Sequence, residues 1–536
     1  MAADREPAAV MGVEDAVRIS STVDPVGVEQ AAGRRWSWQP YAIVFVSSAC
    51  IMILELVAGR IVAPYVGVSL YTWTTIIGVV LAGISLGNYL GGRLADRWPS
   101  TRLLGLLFLA AGMTSFIVLT VDRLGVRLPP GSIVIQIVVL VTALFFIPCA
   151  ILGAISPVVA KLAVRDLATT GTTVGKIYAA GTLGSIVGTF ATGFVLISRF
   201  GTHAIVWGVG LTLIAMGALF LLRRKTVALV LAAVMVAGGI SLAWWQGWSH
   251  GPCALETNYF CIKVREEDRN GERVRVLVLD RLVHSFTSMD DPTKLVYGYE
   301  QMYAEATAYR AADKADLRAL FIGGGGYTFP KYMAAIYPDS ELEVIEIDPG
   351  VTRIAYDLLG VPADSAIVTR NEDARMVLSG QPDRPFDLIM GDAFNDYSVP
   401  YHLTTVEFNE LVARWLAPGG LYMVNIIDGP RGDFVRAFAN TLQQTFPYVY
   451  VAPTIDAWRS SPRSTFVLIA SDEPLDVGRL ADIDAGDGLA LLARQLLDDA
   501  DLAALLAEQP PLTLTDQFAP VDQMLAPTFR NEVPRQ

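Results

Sequence analysis

Leu317-Arg318-Ala319-Leu320-Phe321-Ile322 runs straight into Gly323-Gly324-Gly325-Gly326, and this stretch decides how the second half of the chain folds. About twenty residues on come Val344-Ile345-Glu346-Ile347-Asp348, then Glu372-Asp373-Ala374, then Phe386-Asp387-Leu388-Ile389-Met390-Gly391-Asp392. An apolar strand that breaks into a glycine turn, followed by a strand ending in an acid, is how an open α/β sheet holds a nucleoside. The glycines let backbone approach the ligand, and the acid accepts ribose hydroxyls. Working outward, the pattern predicts strands at 318–322, 342–347, 366–369, 386–391 and 420–427. Helices are expected near 329–337, 350–359, 373–379 and 405–416, with Gly419-Gly420 as the turn before the last strand. Upstream, 257–264, 273–279 and 283–288 read as strands of a small β-region, followed by a helix over 295–311. Alanine- and leucine-rich segments from 487 to 507 read as helices packed outside.

The first half has another character. The 536-residue chain is too long for one ordinary domain, and 53% of it is hydrophobic. Residues 1–38 are polar, without periodicity, and read as a disordered tail; no cleavable signal peptide is evident. Seven apolar runs follow, near 41–58, 70–91, 103–121, 132–155, 176–198, 203–222 and 226–246. Each approaches the roughly 20 residues that span a bilayer. Small residues recur in them, as at Gly78, Gly83, Gly87 and Gly91, or Gly181, Gly184 and Gly188, a spacing that lets helices approach closely in lipid. The chain therefore divides into the tail, a transmembrane bundle over 39–248 and an α/β domain over 252–536.

Basic residues alternate by side. Arg34, Arg35, Arg93, Arg97, Arg102, Lys161, Arg165, Lys176, Arg223, Arg224 and Lys225 fall on one face; Arg60, Arg123, Arg127 and Arg199 fall on the other. The positive-inside rule places the N-terminus in the cytoplasm. Seven spans would carry the α/β domain to the outer face; a final run that lies flat or re-enters would keep it inside. The net charge of −12 sits mostly in the second half and argues against nucleic acid as a partner. Cys50 and Cys149 lie in apolar segments, whereas Cys253 and Cys261 could pair on an oxidising side. Four scattered histidines and the lack of a Cys-x-x-Cys give no metal site. Glu55 lies inside the first apolar run, where an acid is either functional or paired with Arg60.

Residues 255 to about 470 resemble the polyamine aminopropyltransferase (spermidine synthase) family. The segment Leu255-Glu256-Thr257-Asn258-Tyr259-Phe260-Cys261-Ile262 is similar to that family's opening strand. Leu279-Asp280-Arg281-Leu282-Val283-His284 is similar to its "LDGxxQ" turn, and Tyr299-Glu300-Gln301-Met302 to its "YHEML" helix. The tetraglycine, Glu346-Ile347-Asp348, Glu372-Asp373-Ala374 and Asp392 follow in order. Gly92-Arg93-Leu94-Ala95-Asp96-Arg97 resembles the cytoplasmic loop after the second helix of major facilitator transporters. The whole chain is similar to bacterial proteins that fuse a transporter-like bundle to a spermidine synthase domain.

The resemblance implies a Rossmann-like methyltransferase/spermidine synthase fold that transfers an aminopropyl group from decarboxylated S-adenosylmethionine to putrescine or a related amine, without a metal. It implies a lipid bilayer around the bundle and leaves room for a homo-oligomer. In its terms Asp392 is the base or amine orienter. Gly323, Gly324, Gly325, Glu346, Asp373 and His284 hold the cosubstrate, with Glu346 on the ribose and Asp373 on the adenine. Tyr299, Glu300 and Asp396 hold the amine, although Asn395 takes the place of Asp396 by strict spacing. The residues also allow plainer readings: Asp373 as a helix cap, Tyr299 as an interior aromatic, His402 as a loop residue. Asp516 and Asp522 allow a return of the C-terminal segment toward the site. The departures are definite. Gly326 stands where the family's "GGGDG" loop carries an amine-holding acid, His284 replaces the Gln of "LDGxxQ", and Glu300 replaces the His of "YHEML". Ile455 stands where the family often has an active-site Tyr. Another transferase using an S-adenosyl nucleoside, or a polyamine-binding transporter or sensor without turnover, are the competing readings.

Overall fold

The computed structural model describes residues 38–120, 133–222, positions 233–234, 236–239, 241 and 245, and residues 251–269, 271–314, 316–393, 399–483 and 490–529. The expected N-terminal tail and most of the seventh apolar run, 226–246, lie outside these residues.

Six helical stretches among the described residues are long and apolar enough to cross a membrane. They comprise α1 (Gln39–Val66), α2 (Leu70–Arg97), α3 (Thr101–Ser115), α4 (Ile133–Gly153) continued by α5 (Ile155–Ala163), α6 (Thr170–Ala191) and α7 (Thr202–Leu221). They extend the six apolar runs read from the sequence at one or both ends, because polar residues at helix ends carry the hydrogen-bonded spiral beyond the apolar stretch. The recurring glycines act as contact points. A Cβ on Gly184 of α6 would collide with the backbone of Phe45 in α1, 2.8 Å from its carbonyl carbon. Without an apolar driving force between helices in lipid, such close backbone approach is what holds a bundle together.

The α/β domain begins with an antiparallel meander, β1 (Leu255–Glu256), β2 (Cys261–Arg269), β3 (Glu272–Leu279) and β4 (Leu282–Ser288). After α8 (Gly298–Ala311) come β5 (Arg318–Ile322), α9 (Thr328–Ile336), β6 (Glu341–Ile345), α10 (Pro349–Leu358), β7 (Val368–Arg370), α11 (Ala374–Leu378), β8 (Phe386–Gly391), α12 (Val406–Trp415), β9 (Leu416–Asp428) and α13 (Asp433–Leu442). Two strands that the sequence reading passed over complete the sheet: β10 (Tyr448–Pro453) and β11 (Ser464–Ser471). The order is β10-β11-β9-β8-β5-β6-β7, with β11 antiparallel to both neighbours and the other pairs parallel. The chain winds from β5 to β6 and β7 on one side, then returns to β8 and β9 on the other. This reversal opens a crevice at the carboxyl ends of β5 and β8, where open α/β sheets bind ligands.

The two halves meet at one end of the bundle. The Arg60 guanidinium, near the end of α1, donates to the carbonyls of Thr257 and Tyr259. The amide of Thr202, the first residue of α7, donates to the Glu256 carboxylate at 3.1 Å. Cys253 and Cys261 form a disulfide beside these contacts, with Cα atoms 5.2 Å apart.

Gly184→Val is expected to destabilise the purified protein by about 1–3 kcal/mol through overpacking, read as a lower unfolding temperature in detergent. Gly78→Val, at a position with open space around it, should leave that temperature unchanged.

Candidate functional site

The glycine loop after β5 is shaped by its neighbours. Gly323 adopts φ +96°, and a Cβ there would collide with the Asp392 backbone, 2.9 Å from its carbonyl carbon. The amide of Gly323 donates to Ile345 O and that of Asp392 to Ile322 O, each at 2.9 Å. The ends of β5, β6 and β8 are thus laced together by backbone. Glu346, one residue past β6 and 6% exposed, accepts from the amides of Gly324 (2.8 Å), Gly325 (3.4 Å) and Asp348 (2.9 Å). Burial pushes its carboxyl above the ordinary value, and these three amides pull the other way. Two of the loop's N–H groups are therefore spent on Glu346 and fix the loop rather than point at a ligand. A carboxylate with about four lone-pair sites still has acceptor capacity left for hydroxyls.

Two clefts open on this frame. The first is lined by Phe260, Leu279, Ile345, Glu346, Asp373 and His402, among others. Asp373 caps α11, accepting from the amides of Arg375 (2.9 Å) and Met376 (3.2 Å), and its other oxygen lies 3.3 Å from His402 Nε2. Capping and cleft lining coexist in one side chain. The second cleft is lined by Ser285, Tyr299, Glu300, Tyr303, Phe321 and Phe329, among others. His284, Gly323, Gly325 and Asp392 border both.

Asp392 therefore stands at the junction. Its Oδ2 accepts from the Tyr299 hydroxyl and its Oδ1 from Asn425 Nδ2, each at 2.9 Å. Burial raises its carboxyl above the ordinary value, against the pull of these two donors. Burial, with Asp392 and Glu300 next in effect, drives the Tyr299 hydroxyl well up, so it stays a donor. His284 Nε2 is shut off from solvent with no partner, and burial lowers the ring to about 4, leaving it neutral at pH 7. Glu300, 1% exposed, is pushed up to about 8 by burial.

Of the residues singled out in the sequence, Gly323, Gly324, Gly325, Glu346, Asp373, His284, Tyr299, Glu300 and Asp392 border one or both clefts. Asn395 and Asp396 lie outside the described residues. Sequence reasoning missed Asn425, although a lone amide in the apolar run Tyr422-Met423-Val424-Asn425-Ile426 was a usable signal. It missed Phe260 and Ser285, which the meander delivers from afar. The C-terminal segment does return: Asp516 pairs with Arg375 (2.5 Å) and accepts from Thr405 Oγ1 (2.8 Å), while Arg375 also donates to His402 O (2.7 Å). This brace holds the segment that carries His402 over the first cleft.

No family model matches the chain. Curated relatives do. A probable polyamine aminopropyl transferase of Bifidobacterium longum is 32% identical over 137 residues, 25% of this chain and 30% of the relative. A polyamine aminopropyltransferase of Vibrio vulnificus is 34% identical over 110 residues, 20% of this chain and 37% of the relative. These two matches thus span about a third of each relative's length. A polyamine aminopropyltransferase of Corynebacterium efficiens is 25% identical over 493 residues, 84% of this chain and 90% of that protein. Among solved structures, a probable spermidine synthase from Corynebacterium glutamicum aligns with 49% of this chain and 95% of its own, at 23% identity and a TM-score of 0.43.

Glu346→Ala removes the acceptor of three amides and is expected to destabilise the domain by more than about 1 kcal/mol. Amide hydrogen exchange at Gly324 and Gly325 should accelerate; unchanged exchange there would contradict the bracing role.

Proposed function

We propose that the C-terminal domain is an aminopropyltransferase-like enzyme that transfers an aminopropyl group from decarboxylated S-adenosylmethionine to putrescine or a related amine. The observation that carries this reading is the junction: a cleft lined by Glu346, Glu372 and Asp373 beside apolar walls meets a second acidic cleft at Asp392. The homology to proteins named polyamine aminopropyltransferase supports the same chemistry.

In the proposed complex the ribose hydroxyls lie on Glu346, and the adenine lies between Phe260, Asp373 and His402. The sulfonium then stands near Asp392. A neutral amine nitrogen attacks the carbon next to sulfur, a C–N bond forms, and the C–S bond breaks with its electron pair going to sulfur. Methylthioadenosine leaves as a neutral thioether. The nitrogen, now carrying an extra proton, passes it to Asp392. Sulfur is already a good leaving group, so positioning and a deprotonated amine supply the rate. Tyr299 and Asn425 hold the Asp392 carboxylate toward the nitrogen. Gly326 and His284 favour a second reading, in which an S-adenosyl nucleoside is used with another acceptor.

We also place the domain on the non-cytoplasmic face, with the N-terminus of the bundle in the cytoplasm. Arg60 and Thr202, which touch the domain, lie at one end of the bundle. Arg93, Arg97, Arg102, Lys161, Arg165 and Lys176 cluster at the other end, the one that the positive-inside rule puts in the cytoplasm. The disulfide at the junction supports an oxidising surrounding.

Purified protein given decarboxylated S-adenosylmethionine and putrescine should release methylthioadenosine. Asp392→Asn should lower the rate by about 10²–10⁴-fold. Asp392 works as the base only when ionised, so its raised pKa moves the acid limb of the pH–rate profile above the ordinary carboxylate range, and the Asn variant should lose that limb. Binding of methylthioadenosine without any turnover would select the second reading. For the side of the membrane, Met376→Cys, at an exposed position, should react with an impermeant maleimide on intact cells; reaction only after lysis would place the domain inside.

A further inference from the structure

Arg60 belongs to the bundle, in the last two turns of α1, yet its guanidinium reaches out of it. Its two terminal nitrogens donate to the carbonyls of Thr257 and Tyr259, in the turn that joins β1 to β2. A guanidinium holds two acceptors in a rigid fork, so it sets the orientation of the turn as well as its distance. The turn is also knit from within: the Thr257 hydroxyl accepts the amides of Tyr259 (3.1 Å) and Phe260 (2.9 Å), and the Thr257 amide donates to Phe260 O at 3.0 Å. The Cys253–Cys261 disulfide ties the two ends of this loop, and Arg60 grips its middle.

The turn serves the nucleoside cleft in two ways. Phe260, its last residue, lines that cleft, with its ring centroid 6.5 Å from that of His284. The Thr257 hydroxyl donates to Asp348 Oδ2 at 2.5 Å, and the Asp348 amide donates in turn to Glu346 Oε1 at 2.9 Å. The fit is close here, since a Cβ on Gly350 would collide with the Thr257 methyl. Burial raises the Asp348 carboxyl, and the Thr257 hydroxyl, the Gly350 amide and the Arg60 charge pull the other way. A path of polar contacts thus runs from α1 to the carboxylate proposed to take the ribose.

We infer that Arg60 is a positioning residue for nucleoside binding: by orienting the turn from Thr257 to Phe260, helix α1 of the bundle completes a cleft that the α/β domain does not hold in shape alone. This rests on the proposed use of an S-adenosyl nucleoside and adds a residue of the bundle to it. The effect falls on the nucleoside, because Phe260 and Glu346 border the first cleft.

The test is calorimetric titration of the full chain in detergent with methylthioadenosine, joined to initial rates with decarboxylated S-adenosylmethionine and putrescine. Arg60→Ala should weaken methylthioadenosine and raise the KM of the nucleoside by about tenfold, with kcat and the KM of putrescine changing far less. A role in stability alone would lower the unfolding temperature and leave these constants as they are. Arg60→Lys keeps the charge but loses the fork, so it should restore only part of the affinity; it carries the same comparison if the alanine variant does not fold. Phe260→Ala should also weaken methylthioadenosine, and adding Arg60→Ala to it should cost less than in the natural chain, since one residue acts through the other. Natural affinity in Arg60→Ala and Arg60→Lys would show that the disulfide and the turn's own hydrogen bonds suffice, and the inference falls; full additivity with Phe260→Ala overturns it as well. If the natural chain fails to bind methylthioadenosine, the nucleoside reading falls and takes this one with it.

Discussion

Gly323 passes so close to the Asp392 carbonyl that no side chain fits between them, and this contact organises the whole crevice. It ties the end of β5 to the end of β8 at the point where the winding of the sheet reverses. Glu346 completes the frame from the third strand by accepting the next two glycine amides. The result is a rigid three-strand corner. Everything chemical hangs from it: Asp392 faces inward because its backbone is fixed, and Tyr299 and Asn425 then aim its carboxylate. A functional group held by backbone on strand ends is located more precisely than one on a free loop.

Two environments result from one corner. On the β6 side the walls combine Phe260 and Leu279 with Glu346 and Asp373; on the α8 side they combine Phe321 and Phe329 with Glu300 and Ser285. Burial raises the carboxyls of Asp392, Glu346 and Glu300 alike. Acids whose carboxyls burial raises are held ready for a ligand that brings positive charge. A sulfonium and an ammonium are such charges, which is why the geometry suits a cationic cosubstrate and a cationic acceptor better than an anionic ligand.

The alternation of strand and helix from 318 to 428 was legible because parallel strands buried on both faces read as apolar runs broken by glycine and acid. Glu346, Asp373 and Asp392 were legible for the same reason: they end strands or begin helices, and those positions face the crevice by topology. The strands Tyr448–Pro453 and Ser464–Ser471 were passed over, though their β-branched and aromatic content carries the signal. Ser285 and Phe260 were not legible, since a meander's approach to the glycine loop depends on tertiary packing that no local pattern encodes. The same holds for Arg60, whose partners lie about two hundred residues on. Its contacts with Thr257 and Tyr259 join the bundle to the loop that carries Phe260.

The most direct measurement is the position of methylthioadenosine bound to the full-length protein, determined by cryo-electron microscopy or crystallography. The account predicts ribose hydroxyls on the Glu346 carboxylate, adenine beside Asp373 and His402, and sulfur facing Asp392. A nucleoside seated away from the glycine loop, or none bound at saturating concentration, would contradict it.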